Sequence, residues 1–141
     1  MKIFKIVVLT LSGLALFYAC SMRLINPTRA VFLQTYFENT ANSQVINIDL
    51  LSEIRGVGSV MFFGAIIAFI GAIRADFRLT SFVVVTLIFG GVVFGRSLSL
   101  IIDGMPNEDL IRATTAEIVL AALNMFCLLQ IFRKGRDSLN S

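Results

Sequence analysis

Four apolar stretches, at about 3–22, 55–73, 79–102 and 113–132, leave this chain very few ways to fold. Each is long enough to cross a hydrocarbon core, which takes about 20 residues of helix. Inside lipid no water is present to satisfy a bare backbone, so such stretches must be helices or closed barrels. The runs read as transmembrane helices. Of the 141 residues, 57% are hydrophobic, and the mean hydropathy is +0.86. The spans leave only short connections and no room for a separate soluble domain. Short connections make successive helices antiparallel neighbours. The expected fold is an all-α integral membrane four-helix antiparallel bundle, one domain over residues 1–141, with a longer loop between the first two helices.

The basic residues set the expected orientation. Lys2, Lys5, Arg74, Arg78, Arg133, Lys134 and Arg136 fall on one side, and Arg23, Arg29, Arg55 and Arg112 on the other. The positive-inside rule then puts both termini in the cytoplasm. The connection from Arg23 to Ser52 and the acidic turn Asp103–Asp109 face outward. A bacterial cytoplasmic membrane is the expected location. The first stretch also has the outline of a signal peptide, with Ala19-Cys20 near its end. Bulky Phe17 and Tyr18 suit a cleavage or lipidation site poorly, so it is read as a retained span. In the long connection, Asn26-Pro27-Thr28 looks like a helix start, followed by an apolar patch from Ala30 to Phe37. An interfacial helix and a loop packed over the bundle both fit that patch. From Asn47 the pattern becomes helical again.

Composition narrows the chemistry. The net charge is +3, and most of the basic residues lie at headgroup level, so no nucleic-acid surface is expected. Histidine is absent, which removes the commonest metal ligand and general base. No metal and no cofactor are expected. Cys20 and Cys127 form no CxxC motif and lie toward opposite faces, so both read as small core residues.

Arg96 and Glu117 are the anomalies. A charge at mid-span costs roughly 2.5–3.5 kcal/mol on insertion scales, and such residues usually turn inward to a partner. Arg96 lies about two turns, near 9–10 Å, inside the outer end of its helix, where Asp103 sits. Glu117 lies about one turn inside the fourth span. Glu53 and Arg55 begin the second span at the same outer level. Helical spacing puts Arg96, Ser99 and Asp103 on one face, and Thr114, Glu117, Ala121 and Asn124 on another. Glu53, Gly56, Val60, Gly64 and Gly71 form a stripe on the second span. Gly91-Val-Val-Phe-Gly95 is a GxxxG just before Arg96, and small residues of this kind let helices approach closely in lipid. The candidate polar cluster is Glu53, Arg55, Arg96, Ser99, Asp103, Glu117 and Asn124. It serves either as a buried lock on helix register or as the lining of an outward-facing pocket.

Glu53-Ile-Arg-Gly-Val-Gly58, Gly95-Arg96 with Ser99, Asp103-Gly-Met-Pro106 and Ala116-Glu117 form an ordered set. In this set the chain resembles the bacterial family called domain of unknown function 4345, small four-span membrane proteins. The resemblance covers most of the chain and implies the four-helix architecture. It implies no activity and no catalytic roles. The connection from Asn26 to Asp49 is longer than a compact family pattern.

Three functions compete. The first is a non-enzymatic bundle that binds membrane lipid or a small amphiphile, or serves a membrane protein partner. The second is a membrane enzyme of sterol-isomerase-like type, with Glu53 and Glu117 as acid and base and Arg96 tuning them. It requires a cavity that reaches both carboxylates. The third is an oligomeric transporter component, which requires a continuous polar path; the inner half offers chiefly Asn124 and Gln130.

Overall fold

The computed structural model describes residues 2–27 and 48–137. Four long helices account for nearly all of them: α1 (Lys2–Ile25), α2 (Ile48–Ile73), α3 (Arg78–Ile102) and α4 (Glu108–Asp137). No strand occurs among the described residues. All four helices are long and apolar enough to cross a membrane. The expected patch from Ala30 to Phe37 lies outside the described residues. Helix α2 does begin beside Asn47 and runs unbroken into the apolar stretch.

Local chemistry explains where the helices start and stop. Between α2 and α3, Arg74 is extended and Ala75–Phe77 makes a single 3₁₀ turn. The Arg74 guanidinium lies 5.4 Å from the Phe77 ring centre, and Arg78 Nε donates to the Gly71 carbonyl at 3.3 Å. Helix α3 ends where the Asp103 backbone N–H bonds Ser99 O and Gly104 takes a φ of 98°. That left-handed backbone is open to glycine at no steric cost. Asn107 Oδ1 then accepts the Leu110 N–H at 2.9 Å, an N-cap that opens α4. Glu108 and Asp109 occupy its first turn, where negative charge suits the helix dipole.

Packing is antiparallel, as the paired residues show. A Cβ on Gly71 would meet Leu9, one on Gly64 would meet Leu16, and one on Gly58 would meet Arg23. Ser81 Oγ donates to Ile67 O at 2.7 Å, tying α3 to α2. Asn124 Nδ2 donates to Ser12 Oγ at 2.7 Å, tying α4 to α1. Helix α1 packs most closely on α2 and only sparsely on α4. Leu9, Leu16, Ala65, Ala68, Phe82, Val85 and Cys127 are fully buried and centre the core. Cys20 and Cys127 are both buried and unbridged. Outward, Phe63, Leu87, Phe94 and Ile101 are exposed, as side chains facing acyl chains should be.

Two glycine expectations are corrected. The stripe on α2 is not a single packing face: among the described residues Gly56 has no neighbour within 4 Å of a Cβ, and Val60 is exposed. On α2 the glycines that admit a neighbour are Gly58, Gly64 and Gly71. Gly91 and Gly95 likewise face open space, so the GxxxG packs no helix of this bundle. The reason is rotational setting. α3 turns Phe82, Val85 and Phe89 inward, which puts Gly91 and Gly95 on the outer side.

Candidate functional site

At the end of the bundle that carries the 103–107 turn, Arg96 Nη1 lies 2.8 Å from Glu117 Oε2. Their side chains are 17% and 16% exposed, so neither charge is in open solvent. The same Nη1 donates to Thr114 Oγ1 at 2.9 Å, and Thr114 in turn donates to Leu110 O at 2.7 Å. Glu117 Oε2 accepts no aligned hydrogen bond. The contact is therefore a close ion pair, with the guanidinium N–H directed at Thr114. Threonine on the turn before Glu117 thus orients the arginine that neutralises it. This is the face of α4 that the Thr114, Glu117, Ala121, Asn124 spacing picks out.

A third charge joins them. Arg23 is only 8% exposed, on the buried face of α1 with Leu16 and Cys20. Its Nη1 donates to Ala19 O at 3.0 Å. It is close enough to Arg96 and Glu117 to interact with both charges, repelled by the first and attracted by the second. Gly58 makes its position possible, since a Cβ there would lie 2.9 Å from Arg23 Cβ. Sequence reasoning placed Arg23 on a flank, as the end of a span. The signal that finds it is periodicity: Leu9, Ser12, Leu16, Cys20 and Arg23 recur at spacings of three and four.

The remaining expected members do not join this group. Ser99 Oγ donates to Asp103 Oδ2 at 2.7 Å, and both residues are exposed. Glu53 and Arg55 are exposed at the start of α2. Asn124 is fully buried and lies deeper, bonded to Ser12 and to Leu120 O. Of the cluster expected from the sequence, Arg96 and Glu117 meet, Ser99 and Asp103 form a second, exposed contact, Asn124 bonds deeper in the bundle, and Glu53 and Arg55 are exposed apart from these.

Those two, with Arg23, form one end of a cavity of about 340 Å³. Its walls come from all four helices and are mostly apolar, including Leu16, Met61, Phe89 and Leu120. Ala15 and Ala19 of α1 and Ala113 and Ala116 of α4 are among its lining. Short side chains on both sides of the sparsely packed α1–α4 seam leave the space unfilled. Exposed Asp109 and Tyr18 also border it. Glu53 does not, so the cavity reaches one carboxylate of the expected acid–base pair and not the other. Among the described residues no group of three or more Cys, Asp or Glu side chains converges to hold a metal ion.

Residues 4–128 match the family model described as Domain of unknown function (DUF4345). The chain belongs to this family. The match runs from the start of α1 to near the end of α4, so it includes every residue of the cavity. No curated protein and no solved structure matches the chain.

Proposed function

We propose that this DUF4345 protein is a non-enzymatic membrane bundle that binds one small amphiphile between α1 and α4. In this reading both termini are cytoplasmic and the cavity lies in the outer half of the bacterial inner membrane, as the distribution of basic residues favours. The carrying observation is the cavity itself. It has an apolar wall with charged side chains at one end, which is the polarity profile of an amphiphile. At about 340 Å³ it lies at the lower end of the range for small-ligand pockets. Helix α1 supplies Ala15, Leu16, Ala19 and Arg23 to it, so the reading requires the first span to be retained.

The ion pair and the cavity are compatible roles for the same residues. Arg96 and Glu117 hold α3 to α4, and both line the cavity. An acid–base enzyme is less well supported, because Glu53 stands apart from Glu117.

The test is cavity filling. Ala15→Phe and Ala113→Phe place a ring into the cavity from opposite walls. Wild-type protein purified from membranes is expected to carry an amphiphile in organic extracts read by mass spectrometry. Both variants should lose it while keeping their helix content. Equal amounts of the same molecule on all three proteins would reject the reading.

A further inference from the structure

We propose a second ligand site, at the opposite end of the bundle from the cavity: the last turns of α4 seat one anionic phospholipid. The lipid belongs to the leaflet that is cytoplasmic in the orientation proposed above. A groove of about 540 Å³ lies there, and among the described residues Phe126, Leu129, Gln130, Phe132 and Arg133 line it. Phe126, Leu129, Gln130 and Arg133 are spaced by three, one and three, so they share one face of the helix. Phe126, Leu129 and Phe132 are half-exposed and give acyl chains an apolar bed. Arg133 is exposed where the apolar run stops. Its planar guanidinium matches the oxygen pairs of a phosphate, and its long stem reaches headgroup level. Gln130 Oε1 is buried and has no hydrogen-bond partner among the described residues. The Gln130 amide therefore adds a polar group beside the arginine, at the border between chain and head.

Charge selects the head. The Ser12–Asn124 bond sets the register of α1 against α4. Two turns nearer this end, Lys5 stands level with Ile131, and it is close enough to Cys127 to interact with it. Lys2 lies about one turn further out on α1, and Arg74 and Arg78 flank the turn between α2 and α3 at the same end. Among the described side chains there, five are basic and only Asp76 is acidic. At the cavity end the described acidic side chains outnumber the basic ones, five to four. Arg74 lies against the Phe77 ring and Arg78 bonds the Gly71 carbonyl, whereas Arg133 lines the groove itself. Each basic side chain near a membrane surface is worth about fivefold in affinity for anionic lipid. A zwitterionic lipid brings its own ammonium, which these groups repel, and a soluble phosphate brings no chains for the apolar bed.

The experiment uses the full chain in phosphatidylcholine nanodiscs, with thermal stability read as phosphatidylglycerol replaces part of the phosphatidylcholine. Stability is expected to rise and saturate at a low fraction of phosphatidylglycerol, and soluble glycerol 3-phosphate is expected to have no effect. Arg133→Gln should raise the fraction needed for half the effect by about fivefold. Arg74→Gln removes the same charge at the same end outside the groove and should change it little. Ala113→Phe fills the cavity at the other end and should leave the response unchanged. Both arginine variants keep the wild-type melting temperature in pure phosphatidylcholine if they fold alike. Equal losses from Arg133→Gln and Arg74→Gln would overturn the site in favour of a diffuse basic surface. Loss with Ala113→Phe would move the lipid to the cavity and overturn the groove. Stabilisation by glycerol 3-phosphate, or none by phosphatidylglycerol, would also overturn it.

Discussion

Glu117 and Arg96 each cost free energy to place in a span, and each makes the other tolerable. Breaking one partner leaves the other charged in a poor solvent. Fully buried pairs lose roughly 3–5 kcal/mol in this way, and exposed pairs about 0–1. At 17% and 16% exposure the pair stands between those limits, so Glu117→Gln is expected to cost about 1–3 kcal/mol. The melting temperature of purified protein should drop by several degrees. Arg96→Gln on that background should then cost less than it does alone, because the attraction to Glu117 is already gone. Strictly additive losses in this cycle would show that the contact does not stabilise the bundle. The pair itself was legible in the sequence, since an isolated charge in an apolar span implies a partner at similar depth. Arg23 was harder to see. A charge near the end of a span has an ordinary explanation in headgroup contact, and only its register with Leu16 and Cys20 says that it turns inward.

Glycine chemistry separates the helices into close and open faces. On α2, a Cβ at Gly71 would run into the Ser81 side chain, and one at Gly58 would press on Arg23 Cβ. Neither neighbour can swing away freely: Ser81 is held by its bond to Ile67 O, and a Cβ moves only with its backbone. Gly71→Ala and Gly58→Ala should each destabilise by about 1–3 kcal/mol, the usual range for overpacking. On α3, Gly91→Ala and Gly95→Ala meet nothing within 4 Å. They should leave the melting temperature unchanged or raise it, since alanine is the better helix former by about 0.8–1.0 kcal/mol. Four single variants in one thermal-shift series check this, and a loss at Gly91 or Gly95 equal to that at Gly71 would contradict the packing. The existence of all four helices followed from composition alone. Their rotation did not. In a span that is apolar all round, periodicity has little contrast, and a GxxxG motif reads the same whether it meets a helix of its own bundle or faces outward. The polar residues of α4 were the exception, because Thr114, Glu117 and Asn124 mark one side of an otherwise apolar helix.

Across the whole molecule, the four helices are unequally joined. α1 and α2 pack closely, with Gly58 against Arg23, whereas α1 and α4 have alanines lining the cavity between them and meet deeper through Asn124 and Ser12. That asymmetry places the cavity, and no single residue in the sequence announces it. It follows from small side chains on two helices distant in the chain, which only the assembled bundle brings together. If this gap is a binding site, the most direct measurement is an experimental structure of the protein in a lipid nanodisc, inspected between α1 and α4. Elongated non-protein density is expected along the cavity lined by Ala15, Ala19, Ala113 and Ala116, with its polar end toward the charged end of the cavity. Closure of the seam, with Ala19 packed on Ala116 and no density beside Arg96, would contradict it.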